Sequence, residues 1–185
     1  GRKTLQLLLS ESKNLYAENG TQLRIVAICN SKNILWCKRR ETDVENLLQR
    51  LAEQPTQNQS AEQLLKELSG QCFDKLIVVD ASASPDIAAL YERFLAKGIA
   101  IVTPNKLANS AGIERFANLK QLANKQLTPY LYETTVAAAL PIIKPLLDLR
   151  RAGDKPKRIE AVLSGTIAFV LDRIQQHIPF SQAIA

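Results

Sequence analysis

Apolar positions along this chain follow two periods, one helical and one strand-like. Residues 4–16 place Leu5, Leu8, Leu9 and Leu15 at helical spacing ahead of Gly20, a residue suited to closing a helix. Residues 23–29 (LRIVAIC), 75–80 (KLIVVD) and 99–103 (IAIVT) are short, nearly uninterrupted apolar runs, the pattern of strands buried on both faces. Between the last two, Ser84, Pro85 and Asp86 supply an N-cap, a first-turn proline and an acidic first turn. Ile87, Leu90, Phe94 and Leu95 then recur at helical spacing up to Gly98. Strand, helix and strand joined this tightly predict a right-handed βαβ unit, with 75–80 and 99–103 as parallel neighbours.

The same grammar continues on both sides. A short helix over 60–68 turns Ala61, Leu64, Leu65 and Leu68 inward, and residues 53–60 (EQPTQNQS) before it read as a polar surface connection. Residues 112–127 predict a helix and 130–133 (YLYE) a further strand. From Leu140 a helix carries Ile143, Leu146, Leu147 and Leu149 and stops at Ala152-Gly153. Pro141 suits its first turn, whereas Pro145 should bend it or delay its start. A strand is expected at 158–163, and Ser164-Gly165-Thr166 turns into a last apolar helix over 167–174. The fold class is α/β: a doubly wound parallel sheet of the Rossmann type, with LRIVAIC, KLIVVD, IAIVT and YLYE in one helix-flanked layer and the strand at 158–163 in a different sheet.

Composition narrows the setting. The chain has 185 residues, 46% of them hydrophobic, so it can bury a core and exceeds the common domain size of about 100 to 150. No apolar run approaches the roughly 18 residues of a membrane span, and no secretory leader pattern is present. Cys29, Cys37 and Cys72 are odd in number and lack zinc spacing, which points to reduced thiols in a cytoplasmic protein, with Cys29 expected in the core. The only histidine, His177, sits among polar residues with no partner for a metal site. Trp36 and Phe94 read as packing groups and Glu160 as a solvent-facing strand residue.

The formal net charge is +6, and its densest cluster, Lys32, Lys38, Arg39 and Arg40, follows LRIVAIC. No aromatic-basic interleaving accompanies it, so no nucleic-acid role is expected. In a dinucleotide-binding sheet an acidic residue at the end of the second strand takes the ribose hydroxyl of NAD. Here that place reads Asn30-Ser31-Lys32, with a cation and no carboxylate, which favours NADP over NAD. A solvated basic loop accounts for the same residues.

The richest stretch is 101–108 (IVTPNKLA). Pro104 ends strand pairing, and Lys106 falls just beyond the carboxyl end of a strand, where open parallel sheets bind ligands. On these eight residues alone, a solvated loop lysine and a ligand-binding one stand level. The strand and G-x-G-x-x-G loop that open such a fold are absent, so the chain is expected to be part of a longer polypeptide; it also contains no methionine.

Taken in order, IVVDASAS (77–84), FLAKGIAIVTPNKLAN (94–109), YETTVAAALPII (132–143), RAGDKPKRIEAVLSGT (151–166) and PFSQA (179–183) resemble homoserine dehydrogenase from about Leu23 onward. The segment between Ser31 and Lys75 is similar to the C-terminal half of bifunctional aspartokinase-homoserine dehydrogenases. The resemblance implies interconversion of aspartate semialdehyde and homoserine by hydride transfer with NADP or NAD, in a homodimer or higher homo-oligomer, with an aspartokinase domain possible on the same chain. It divides the chain into a dinucleotide-binding domain over 1–134 and the beginning of an α+β substrate and dimerisation domain over 135–185. Lys106 matches the family's catalytic lysine and is expected at the cofactor as well; Ser82 matches the hydroxyl after the VVD strand, with Ser84 close, both expected to touch the cofactor, to which Asn30, Ser31 and Lys32 are assigned by their place at a strand end. Gly165 and Thr166 match the border of the substrate site. Glu133 and the Val136 carbonyl match a site for a monovalent cation such as sodium. Where the family has G-A-G-L-P, this chain has Ala137-Ala138-Ala139-Leu140-Pro141, and alanine resists the positive φ that glycine allows. The chain also stops at Ala185, before the family's acidic substrate-binding segment and second catalytic lysine. Two other readings remain open: a non-catalytic regulatory or assembly module of the same fold, and another NADP-linked oxidoreductase of a small aldehyde or keto acid.

Overall fold

The computed structural model describes residues 1–37, 41, 43–55, 61–70, 73–138 and 140–184; Lys38, Arg39 and Arg40 of the basic cluster, Cys72, Ala139 and Ala185 lie outside them. Helix α1 (Arg2–Asn19) ends on Gly20, left-handed at φ 66°. Its Leu5 and Leu9 pack with Ile25 and Ile28 against a small core of Leu35, Cys37, Leu47 and Leu51.

The apolar run that follows does not join the parallel layer, which corrects the expectation for LRIVAIC. Ala27–Cys29 alone forms strand β1, and it pairs antiparallel with β2 (Ile34–Trp36) in a separate two-stranded sheet. The cause is local. Asn30 Oδ1 accepts from the N–H groups of Lys32 and Asn33, each at 2.8 Å, and the Asn30 N–H donates to the Asn33 carbonyl at 3.0 Å. An asparagine side chain that stands in for backbone closes a turn, so the chain reverses over Ser31-Lys32. Asn33 then donates to the carbonyls of Leu51 at 3.3 Å and Gln54 at 3.2 Å, fastening the hairpin to the end of α2 (Val44–Glu53). No element is expected above for α2, although Asp43 caps it by accepting from the Glu45 and Asn46 N–H groups. Cys29, expected in the core, is exposed at the strand end, whereas Cys37 is buried.

Helix α3 (Ala61–Ser69) buries Leu64, Leu65 and Leu68, as its spacing predicts. Strand β3 (Ile77–Val79) follows. The helix expected from Ser84 to Gly98 forms as two pieces, α4 (Pro85–Ala88) and α5 (Tyr91–Ala96). They part where the Leu90 N–H turns to the Ile87 carbonyl at 3.0 Å, a tighter three-residue closure. Then come β4 (Ala100–Val102), α6 (Leu107–Ser110), α7 (Ile113–Lys125) and β5 (Tyr130–Leu131). The sheet runs β3-β4-β5 with both pairings parallel, as the βαβ reading requires.

Val78, Ile101 and Tyr130 lie opposite one another and so share a face. That face packs into the main core with Tyr91, Phe94, Leu95 and Leu119. On the other face Ile77, Val79 and Leu131 remain 51%, 40% and 55% exposed, because α1 and α2 are committed to the hairpin's core instead. The outcome is a Rossmann-type parallel sheet, more deeply covered on one face than on the other among the described residues, with a separate hairpin where a fourth parallel strand is expected.

Arg115 of α7 fastens that cover. It donates to both carboxylate oxygens of Glu92, at 2.6 and 3.0 Å, and to the Ala88 carbonyl at 2.6 Å. Burial pushes the Glu92 carboxyl up, but the Arg115 hydrogen bond, a backbone hydrogen bond and the Arg115 charge together hold it below its ordinary 4.5. A carboxylate with a depressed folded value contributes stability that is complete above the unfolded value and lost as pH falls through the folded one. Replacing Arg115 by leucine should therefore lower stability at neutral pH and flatten its fall below about pH 4.5. Urea unfolding at pH 7 and pH 3 measures it, and an equal loss at both would count against this pair.

Beyond the sheet, Glu133–Thr135 forms a 3-10 turn, and α8 (Ile143–Arg151) starts late, with Pro145 in its first turn as expected. Gly153 closes it at φ 100°. Residues 158–163 form no strand, a second correction: all are exposed. Alternation there reads as a strand, yet a strand exists only in a ladder, and none of the described residues pairs with it. The Arg158 side chain meets Glu160 instead. The chain ends in α9 (Gly165–Gln175) and α10 (Phe180–Ala183).

Candidate active site

At the carboxyl ends of β3 and β4 the chain buries an unusual set of polar groups: Asp80, Thr103 and Asn105 are all under 5% exposed. Asp80 is the hub. Its Oδ1 accepts from the Ser82 N–H at 2.9 Å and the Ser82 hydroxyl at 2.6 Å. Its Oδ2 accepts from the Tyr91 hydroxyl at 2.6 Å and the Asn105 amide at 3.0 Å. Four donors fill a carboxylate's four lone-pair sites, and no cation pairs with it among the described residues. Asp80 therefore serves as a fixed anchor, with no site left for a ligand.

Tyr91 also stands 2.8 Å from Thr103 Oγ1. One phenolic proton cannot serve both neighbours, and the charged acceptor takes it. Burial, and then the Asp80 hydrogen bond, push the Tyr91 hydroxyl far above its ordinary value, so it remains a donor. Thr103 Oγ1 donates to the Asp80 carbonyl at 3.1 Å and accepts from the Asn105 N–H at 2.8 Å.

Lys106 is exposed immediately after this cluster. Its backbone is held on both sides. Asn105 Oδ1 accepts from the Leu107 N–H at 3.1 Å, and the Asn105 amide also donates to the Ser84 carbonyl at 3.1 Å, joining the TPNK loop to the ASAS loop. The Lys106 carbonyl accepts from Asn109 and Ser110, and the Tyr130 hydroxyl donates to Asn109, tying α6 to β5. The Lys106 ammonium has no ion pair among the described residues. A cation on a rigid backbone, its own charge uncommitted, can hold an anionic or carbonyl oxygen.

Of the other expected residues, Ser82 spends its hydroxyl proton on Asp80 while its Oγ accepts from the Ser84 N–H at 3.1 Å. Ser84 caps α4 through Ile87 and keeps its proton for another acceptor. The start of α1 abuts this loop: a Cβ added to Gly1 would lie 4.0 Å from the Ala81 Cβ. Among the described residues no side chain caps that helix, its first turn holds no acid of its own, and Arg2 there pairs with Glu45; a helix N-terminus attracts an anion. Asn30 is committed to its turn through Oδ1, and Ser31 and Lys32 are exposed on the turn's tip.

Glu133 has a structural task. Its two carboxylate oxygens accept from the Ile143 N–H at 2.7 Å and the Lys144 N–H at 2.8 Å, capping α8. Ala137, which stands where the family pattern has glycine, and Ala138 adopt φ 53° and 51°, left-handed backbone that costs about 1 to 2 kcal/mol per residue. Gly165 and Thr166 open α9 behind the Ser164 cap, exposed and without a hydrogen bond to the crevice among the described residues. Asp80, Tyr91 and Asn105 were not singled out by sequence. An acid closing a buried apolar run was the available signal for Asp80; Tyr91 lies at an apolar helical position and looks like core.

A family model described as the homoserine dehydrogenase NAD binding domain matches residues 1–133, and one described as homoserine dehydrogenase matches 141–185. The chain is 30% identical over 187 residues to a chloroplastic bifunctional aspartokinase/homoserine dehydrogenase of Daucus carota, covering 100% of this chain and 20% of that protein. It is 40% identical over 98 residues to a homoserine dehydrogenase of Paracoccidioides brasiliensis, covering 53% of this chain and 26% of that one. Among solved structures, a hyperthermophilic archaeal homoserine dehydrogenase in complex with NADPH shares the fold at TM-score 0.72 and 24% identity, over 97% of this chain and 55% of that chain. The chain thus spans about one fifth of the length of its bifunctional relative.

Proposed function

The chain belongs to the homoserine dehydrogenase family, and we propose that it carries the cofactor-binding part of an NAD(P)-dependent homoserine dehydrogenase interconverting L-aspartate 4-semialdehyde and L-homoserine in the aspartate-derived amino-acid pathway. The observation that carries this reading is the buried Asp80 network, which binds two strand-end loops together beside an exposed Lys106 that has no ion pair among the described residues. Bound NADP would supply the hydride acceptor or donor. The chain's residues supply placement: the uncapped start of α1 suits a pyrophosphate, Ser84 offers a hydroxyl proton, Ser82 braces its loop, and Lys106 holds the substrate oxygen.

The boundary near 134/135 separates this region from the start of a substrate and dimerisation domain, with Gly165 and Thr166 at the substrate border. Exposed Ile159, Val162, Ile167 and Phe169 suit a homodimer or larger homo-oligomer. The bifunctional relatives' names support a covalently linked aspartokinase region. For a monovalent cation, Glu133 is already shared between two helix N–H groups. Backbone carbonyls, Val136 among them, would do the ligating and Glu133 would add negative charge. No described helix is long and apolar enough to cross a membrane; the cytoplasmic setting rests on the free thiols of Cys29 and Cys37.

The test is nicotinamide absorbance of the full-length protein with homoserine and each cofactor. Turnover with homoserine and none with other small hydroxy acids supports the assignment; the reverse ends it. Lys32, exposed on a turn without a carboxylate, favours NADP. Lys32→Glu should erase about ten- to a hundredfold of the NADP preference, the worth of one charge-assisted contact of roughly 1.5 to 3 kcal/mol. Titration of both cofactors decides it, and an unchanged ratio removes Lys32 from the site.

A further inference from the structure

We propose that Asp80, Tyr91 and Asn105 form a clasp that positions Lys106 for hydride transfer, with none of the three touching substrate or cofactor. The proposal rests on the reading of Lys106 as the catalytic cation and adds what holds it.

The Asp80 carboxylate is saturated with donors. Each Asp80 oxygen accepts two hydrogen bonds, Oδ1 from the ASAS loop and Oδ2 from α5 and the TPNK loop. A buried carboxylate with no cationic partner costs free energy unless its acceptors are filled, and here neutral donors from three separate segments fill them. Removing any one loosens the join between segments. Asn105 is the arm that reaches the lysine. Its amide bridges Asp80 and the Ser84 carbonyl, its own N–H is fixed on Thr103, and its Oδ1 fixes the Leu107 N–H. The peptide group before Asn105 and the one after Lys106 are thereby immobilised, while the lysine side chain remains exposed. Tyr91 sets the depth of the clasp: it is 0% exposed, its ring meets Tyr130 edge-on at 6.0 Å, and its hydroxyl reaches Asp80 from the helix layer. A core tyrosine that spends its hydroxyl on a strand-end carboxylate links helix packing to the position of the reactive loop. A misplacement of about 1 Å at a reacting group can cost about a hundredfold in rate, so this link has a kinetic consequence.

The experiment is a double-mutant cycle in the full-length protein between Asn105→Ala and Lys106→Ala, reading kcat with homoserine and cofactor affinity by titration. Asn105→Ala should lower kcat about tenfold or more with cofactor affinity changed less than about threefold. In the Lys106→Ala background it should have little further effect, because the group it positions is gone. Tyr91→Phe, which keeps the ring contact, should show the same coupling with a smaller loss and carries the cycle if Asn105→Ala does not fold. If Lys106→Ala is slow but either partner's effect multiplies in full on top of it, the clasp acts on the fold at large and the proposal is overturned. If Lys106→Ala turns over near the normal rate, the catalytic reading of Lys106 fails and the clasp's role falls with it.

Discussion

Replacing Lys106 by alanine in the full-length protein is expected to lower kcat by about a hundred- to a thousandfold, the effect of removing one preorganised electrostatic group from a transition state, roughly 3 to 4 kcal/mol. Cofactor affinity should change far less, because the interaction strengthens as charge develops on the reacting oxygen and is weaker in the ground state. The structure makes this sharper than sequence alone could. Lys106 is exposed with no ion pair among the described residues, and the hydrogen bonds around it run through its carbonyl and Asn105, so its removal leaves them in place. A stable, cofactor-binding, slow variant is the expected phenotype. A variant of near-normal rate makes Lys106 an ordinary loop lysine.

What sequence could reveal here follows the range over which each feature is encoded. The βαβ unit was legible because its strands are written as continuous apolar runs at 75–80 and 99–103, with Ser84, Pro85 and Gly98 marking the helical ends; burial on both faces, which such runs also predict, fails for β3, whose Ile77 and Val79 are exposed. The late start of α8 was legible from Pro145 in the same way. LRIVAIC has the same apolar character, but its partner is chosen by the turn at Asn30–Asn33, where one side-chain oxygen outweighs the expectation of a parallel neighbour. Residues 158–163 carry strand character with nothing beside them to complete a ladder.

The site divides along the same line. Lys106 was visible because its position beyond a strand end is local. The Glu133 cap joins residues ten and eleven positions apart, and Tyr91 reaches Asp80 across a loop and a short helix. Such pairings depend on tertiary closure, which residue spacing does not encode.

Asp80→Ala should be the most destabilising polar substitution in the sheet, at about 3 to 5 kcal/mol. Deleting the carboxylate leaves the Tyr91 hydroxyl and the Asn105 amide as buried donors without their acceptor, and each unsatisfied buried donor costs about 1 to 3 kcal/mol. Ser82 lies nearer solvent and recovers part of its loss from water. Asp80→Asn is the informative companion. One amide oxygen replaces two acceptors, and whichever way the amide turns, its NH2 faces either the Ser82 pair or the Tyr91–Asn105 pair of donors. An isosteric change should thus keep most of the cost, whereas a cavity-driven loss would be largely restored by asparagine. Tyr91→Phe removes a single donor and should cost about 1.5 to 3 kcal/mol, the range for one hydrogen bond to a charged group. Calorimetric unfolding of the three variants should rank Asp80→Ala and Asp80→Asn together, well below Tyr91→Phe. If Asp80→Asn unfolds with the parent protein, the four-donor carboxylate is not what holds these loops.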